Sequence, residues 1–110
     1  MEKINLPQFS KTVREQNVNE TRQLLGLGGA KFWSWGAHAF VNFGNKFLKF
    51  KVNGNLHKGH VYICVNGSDL YDVYLTSTQG NIKKEIKDIF FEDLVDRIDE
   101  AVEKIDKYIL

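Results

Sequence analysis

Apolar and polar residues alternate along the middle of the chain with the period of two that a β-strand produces. The alternation is clearest over residues 46–52, 56–65 and 71–78. It predicts antiparallel strands with one side turned toward a core. The predicted core side holds Leu48, Phe50, Val52, Val61, Ile63, Val65, Tyr71, Val73 and Leu75, and the opposite side holds Phe47, Lys49, Lys51, Lys58, His60, Tyr62, Cys64, Asp72 and Tyr74.

Turn residues separate these strands. Asn53-Gly54 predicts a two-residue hairpin turn with positive φ angles, and residues 66–69 and 79–81 predict two further turns. Residues 82–87 read as a short, lysine-flanked edge strand. From Lys31 to Phe43 the aromatic density favours extended structure, with a bend at Gly36.

The period changes to that of a helix near the C-terminus. Glu92 and Asp93 stand in its first turn, as the helix dipole favours, and Asp99 falls among the acids of its polar side. The apolar stripe comprises Phe91, Leu94, Val95, Ile98, Ala101, Val102, Ile105 and Ile109. We therefore predict an α+β fold: a four- to five-stranded antiparallel meander with a C-terminal amphipathic helix packed on one face.

The first part of the chain has a weaker pattern. A loose apolar spacing allows a short N-terminal helix over about residues 10–25, and an arm is the alternative. Glycines at 26, 28 and 29 would end such a helix. We therefore divide the chain into residues 1–29, an N-terminal arm or weak helix, and residues 30–110, a single domain.

Charge is distributed unevenly although the formal net charge is only +1. Residues 21–68, which we call the acid-free segment, contain six Lys or Arg residues and no Asp or Glu. Residues 85–110 contain nine acids against four Lys or Arg residues. This asymmetry suggests an anionic partner for one half of the chain, and neutralisation of the basic half by the acidic helix is the alternative.

The sequence offers no catalytic motif, and we expect neither enzymatic activity nor a cofactor. His57 and His60 point to opposite sides of a regular strand, so a metal site with His38 and Cys64 is not expected. Cys64 is the single cysteine, which fits a reducing compartment. With no signal-peptide pattern and no apolar run of membrane-spanning length, the sequence predicts a cytoplasmic protein without membrane contact.

Lysines interleaved with aromatic residues on one sheet face are typical of platforms for single-stranded nucleic acid. A tight hairpin would place Lys58 opposite Lys49 or Lys51, a repulsion that a bound anion would relieve. The predicted binding residues are Lys31, Trp33, Trp35, Phe47, Lys49, Lys51, Lys58, His60 and Tyr62. The alternative is a small non-catalytic protein-interaction module or inhibitor that uses an exposed Trp/Phe patch on an acidic partner.

Several short motifs carry a family resemblance: Lys58-Gly59, Val61-Tyr62-Ile63, the run 80–83, and the helix that follows residues 91–94. In these motifs and in strand order, residues 46–107 resemble the positive cofactor four, whirly and Pur-alpha type of single-stranded nucleic-acid-binding modules. The resemblance implies a homodimer whose sheets grip single strands. The extra aromatic segment before the hairpin, together with Cys64 and Asp72 on the sheet, departs from that pattern.

Overall fold

A computed structural model describes residues 18–27, 29–44 and 46–103 of the chain. The elements are α1 (Val18–Gly26), α2 (Ala30–Ser34), β1 (His38–Phe43), β2 (Phe47–Asn53), β3 (Lys58–Val65), β4 (Tyr71–Thr76), β5 (Ile82–Ile89), a 3-10 turn (Phe91–Asp93) and α3 (Leu94–Val102). The strands form one antiparallel sheet in the order β1-β2-β3-β4-β5. The predicted α+β class, the meander and the C-terminal helix are confirmed.

The two sides of the sheet belong to two separate apolar clusters, as the alternation predicted. The core cluster joins strand residues such as Phe50, Val61 and Val73 to Leu25 of α1 and to Trp35. The second cluster consists of strand residues only: Phe47, Tyr62, Cys64 and Tyr74. Within the described part of the chain, the helices therefore contribute to the core cluster and not to the second one.

Helix α3 packs on the core side through one stripe of side chains. Leu94, Ile98, Ala101 and Val102 all belong to the core cluster. Burial of such side chains stabilises the fold by about 1.5–3 kcal/mol for each large residue. Phe91, which was predicted to join this stripe, is exposed in the 3-10 turn before the helix. The predicted stripe residues 105 and 109 lie outside the described residues.

Asp99 was predicted on the polar side of this helix, and that prediction is wrong. Its side chain is buried, and its Oδ1 accepts a hydrogen bond of 2.9 Å from the indole Nε1–H of Trp35. A buried carboxylate requires such donors. The sequence pattern could not reveal this contact because its two partners are 64 residues apart.

The hairpin between β2 and β3 also differs from the prediction. The last pair of the ladder is Asn53 with Lys58, so residues 54–57 form the connection. Positive φ occurs at Gly59 and not at residues 53 or 54. The longer loop closes the C-terminus of α3: the amides of Leu56 and His57 donate to the Val102 carbonyl at 2.7 and 3.1 Å. These amides satisfy a carbonyl at the helix end, where no intrahelical donor is available.

The segment after α1 is helical where extended structure was predicted. Helix α2 begins after Gly29 (φ 59°) and is followed by Gly36 (φ 63°), so both ends use backbone conformations that glycine tolerates best. Only from His38 onward is the chain a strand. Helix α1 coincides with residues 18–25 of the predicted N-terminal helix, and the remainder of that prediction lies outside the described residues.

Candidate interaction surfaces

The two tryptophans have opposite environments. In a strand they would share a side, but two positions along a helix rotate a side chain by about 200°. Trp33 is 79% exposed, whereas Trp35 is completely buried. The prediction that both bind a ligand on one face is therefore wrong for Trp35. Lys31 lies in α2 and not on the sheet.

Phe47 and Tyr62 were predicted to stack on bases, but their rings are not exposed. They are 1% and 5% exposed, and they contact each other edge-to-face with ring centroids 6.5 Å apart. Stacking needs an open ring face. These residues instead form the second cluster with Cys64 and Tyr74, so the predicted open stacking platform at this hairpin is wrong.

The predicted basic residues of the hairpin do share the face of the second cluster. Cross-strand pairs place Lys49 opposite Tyr62 and Lys51 opposite His60. The side chains of Lys51 and Lys58 are exposed. Lys49 is half-buried, and its Nζ lies 5.7 Å from the ring centroid of Tyr62, in range of a cation–π interaction.

The predicted repulsion between Lys58 and a lysine across the hairpin does not occur. Lys58 faces Asn53, because the four-residue loop shifts the pairing. The acids of this face lie farther along the sheet: Asp72 is opposite Cys64, and Glu85 is opposite Tyr74. The lysines of the hairpin therefore lie toward β2 and the two acids toward β4 and β5, where Lys87 of β5 also acts electrostatically on Cys64.

An open groove of about 610 Å³ lies between α1, α2 and the start of β1. Its walls are lined by Arg22, Gln23, Gly26, Phe32, Trp33, Ala37 and Phe40. None of these residues is acidic. We call this feature the aromatic groove.

Aromatic contacts connect the groove to the core. Phe32 lies edge-on to both Trp33 and Trp35, with ring centroids 6.2 and 5.6 Å away. Phe40 stacks on the core residue Phe50 at 5.1 Å. The Arg22 guanidinium lies 4.6 Å from the Phe40 centroid, so the cation lies over the aromatic wall. The groove therefore has a firmly packed floor and an exposed indole among its lining residues.

The sequence analysis expected an exposed Trp/Phe patch, to which the exposed Trp33 corresponds, but it did not predict the groove. Phe32, Phe40 and Arg22 were absent from the predicted binding residues. A helical spacing of these residues could have indicated them, since α1 and α2 bring Arg22 and Phe32 to one groove. Helix α2 spans only the five residues Ala30–Ser34, however, and so short a segment shows no helical period in the sequence.

Buried titratable groups occur on the second face and near the hairpin. Burial lowers the pKa of His57 and of His60, and the Lys49 and Lys51 ammonium groups lower that of His60 further. Burial and the nearby Asp72 raise the pKa of the Cys64 thiol to about 12. A thiol with so high a pKa is a poor nucleophile. Within the described ranges, no group of three or more His, Cys, Asp or Glu side chains could hold a metal ion.

None of the helices in the described part of the chain is long and apolar enough to cross a lipid bilayer. Comparisons of the chain with protein-family models, with curated proteins and with solved structures gave no match.

Proposed function

We propose that the protein is a non-catalytic interaction module whose aromatic groove binds an acidic segment of a partner protein. The partner segment inserts one large apolar side chain between Phe32, Trp33 and Phe40, and its carboxylates lie near Arg22. The observation that carries the proposal is the exposure of Trp33, 79% of whose surface is accessible beside a groove with an apolar floor.

An exposed tryptophan is the residue type most enriched among the dominant contributors to protein interfaces. Trp33 is well placed for this role, because its edge-to-face contact with Phe32 supports the ring from the side of the core. A preorganised ring loses little conformational entropy on binding. Truncation of such a residue typically costs at least about 2 kcal/mol of binding free energy.

The charge of the groove indicates which partner segments it attracts. The groove residues fall within the acid-free segment, and Arg22 contributes a cation to the groove lining. In the described residues no carboxylate pairs with Arg22, whose contact is with the Phe40 ring. An acidic partner is therefore attracted, and a basic one is repelled.

The proposal is tested by selecting ligands from a displayed library of acidic peptides that contain one Trp, Phe or Leu. Trp33→Ala should weaken binding of the selected peptides by about thirtyfold, the factor that corresponds to about 2 kcal/mol. Phe91→Ala is the matched control, since Phe91 is also an exposed aromatic residue but does not line the groove. Failure to enrich any peptide, or equal loss in both variants, would refute the proposal.

The reversal of one charge provides a second test. Arg22→Glu should reject the acidic peptides, whereas Arg97→Glu, an exposed arginine on α3, should leave their affinity unchanged. Equal effects of the two changes would show that only the overall charge matters, and the groove would then not be the binding site.

Binding of single-stranded nucleic acid is the second candidate, and the shared face of Lys49, Lys51 and Lys58 favours it. The bases would need rings other than Phe47 and Tyr62, such as the partly exposed Phe43. Three phosphate contacts give a slope of log K against log salt of about −2. Fluorescence anisotropy with an oligonucleotide tests this, and equal affinity of wild type and Lys51→Glu/Lys58→Glu would exclude it.

A further inference from the structure

His60 is a buried polar side chain whose ring has no hydrogen-bond partner within the described part of the chain. Its side chain is 7% exposed, and neither Nδ1 nor Nε2 has a hydrogen-bond partner among residues 18–27, 29–44 and 46–103. The neighbouring His57 differs, because its Nε2 lies 3.3 Å from the His60 carbonyl oxygen. The unsatisfied ring of His60 is therefore a particular feature of this position on β3.

A buried polar group without a hydrogen-bond partner lowers the stability of the fold. Leaving a buried donor or acceptor unsatisfied destabilises a protein by about 1–3 kcal/mol, and native structures nearly always supply a partner. The ring nitrogens of His60 thus require a molecule that offers hydrogen-bonding atoms.

The surroundings of His60 determine the charge of that molecule. Lys51 is its direct cross-strand partner on β2, and Lys49 is two pairs farther along, on the same face. Both ammonium groups act electrostatically on the His60 ring. On the other side its partner on β4 is Thr76, which carries no charge. The acids of this face, Asp72 and Glu85, pair with other residues.

We infer that His60, Lys49 and Lys51 form a binding site for a phosphate-type oxyanion. The two ammonium groups neutralise the anion, and an N–H of the His60 ring donates a hydrogen bond to one of its oxygens. The anion belongs either to a small phosphorylated molecule or to the backbone of a nucleic acid. The inference is independent of the aromatic groove, and it specifies one phosphate contact for the nucleic-acid candidate.

Lower pH should increase the affinity of this site for the anion. The groups that face the His60 ring are Lys49 and Lys51 of β2, Tyr62 of β3 and His57 of the preceding loop. The pKa of His60 is lowered, so the ring is neutral at pH 7 and gains its charge only at lower pH. A bound anion favours the charged ring and therefore raises this pKa. Sulfate, which keeps its charge over the same range, separates this effect from titration of phosphate itself.

The experiment is NMR of the histidine ring signals of the full chain during titration with inorganic phosphate or sulfate, against chloride at equal ionic strength. The expected result is a saturable shift of the His60 signals and a rise of the apparent pKa of His60. Lys51→Glu should weaken phosphate binding by about tenfold or more. Lys84→Glu, which changes the same charge at an exposed position of β5, should not.

A His60→Gln variant keeps a hydrogen-bond donor at this position, so it separates the loss of the titrating ring from a loss of folding. By calorimetry this variant should still bind phosphate, but its affinity should not increase at lower pH. Signals that respond equally to phosphate and chloride, or equal losses in Lys51→Glu and Lys84→Glu, would overturn the inference and leave water as the partner of His60.

An oligonucleotide titration distinguishes the two sources of the anion. Displacement of phosphate by a single strand of DNA supports the backbone as the source, and binding of phosphate without such competition supports a small phosphorylated ligand. Trp33→Ala should leave the phosphate response intact, so failure of the groove proposal and failure of this one are recognised separately.

Discussion

The buried contact between Trp35 and Asp99 should make a large contribution to stability. The change Trp35→Phe keeps an aromatic ring at a completely buried position but removes the indole N–H that donates to Asp99 at 2.9 Å. The carboxylate remains in the core with one donor fewer. This perturbation therefore tests whether the helix is held by a specific polar contact as well as by apolar packing.

The magnitude follows from two terms. A hydrogen bond to a charged group contributes about 1.5–3 kcal/mol. The smaller ring leaves a void, and a void of methyl size or larger costs about 1 kcal/mol. The expected loss is therefore about 2.5–4 kcal/mol, which is a large share of the 5–15 kcal/mol that stabilises an ordinary domain.

The assay is urea unfolding followed by far-UV circular dichroism. With a slope of about 1–3 kcal/mol per molar urea, the midpoint should fall by roughly 1–4 M. Trp33→Phe is the matched control and should change the free energy of unfolding by less than about 0.5 kcal/mol, because that ring is exposed.

A double-mutant cycle with Asp99→Ala, which removes the acceptor of the indole N–H, isolates the pairwise term, which should be about 1–2 kcal/mol. A loss below about 1 kcal/mol in Trp35→Phe, or strict additivity in the cycle, would refute the assigned role of this contact.

Three further predictions follow from the same structure. Gly54→Ala should destabilise the protein by at least about 2 kcal/mol, because an added Cβ would lie 2.5 Å from Cγ1 of Val102. Gly67→Ala, where an added Cβ would meet no atom of the described residues within 4 Å, should have little effect in the same unfolding assay. The Cys64 thiol should resist a thiol reagent at pH 8 in the native state and react when urea unfolds the chain, as absorbance will show; rapid native reaction would contradict its burial. Since the folded pKa of that thiol lies above the unfolded one, its contribution to stability is complete below pH 9 and declines toward pH 12, so Cys64→Ala should reduce the alkaline loss of stability measured by urea midpoints.

Much of the fold could be predicted from local pattern. The alternation over residues 46–78 correctly assigned Phe50 and Val61 to the core side and Tyr62 to the other. This succeeded because a period of two leaves only two ways to orient a strand, and burial selects one of them. The prediction of the apolar stripe of α3 succeeded for the same reason, because the helical period also leaves only one face to be buried.

The errors arose where contacts distant in sequence override local preference. Asn53-Gly54 has the composition of a tight turn, yet the loop is extended to residue 57 because its amides bind the end of α3. The residues around Trp33 have strand-like composition, yet five of them form a helix. Trp35, directly after this helix, bonds to the amide of Asn53 and to the carboxylate of Asp99. No window of local sequence contains the partners that decide these two conformations.

The candidate site was predicted only in part. That Lys49, Lys51 and His60 share a face could be deduced from alternation. Alternation does not report whether a face is open, and Phe47 and Tyr62 proved to be buried. The aromatic groove could not be deduced, because it depends on how α1 and α2 approach β1.

The four-residue loop after β2 joins the middle of the sheet to the end of α3. The amide of Asn55 donates to Oε2 of Glu103 at 2.6 Å, across 48 positions of the chain, beside the amides that meet Val102. Closing a connection of that span is slow compared with forming either element alone. During synthesis this contact can therefore form only after residues 102 and 103 have emerged from the ribosome, and a premature stop before Val102 would leave the loop amides without these acceptors.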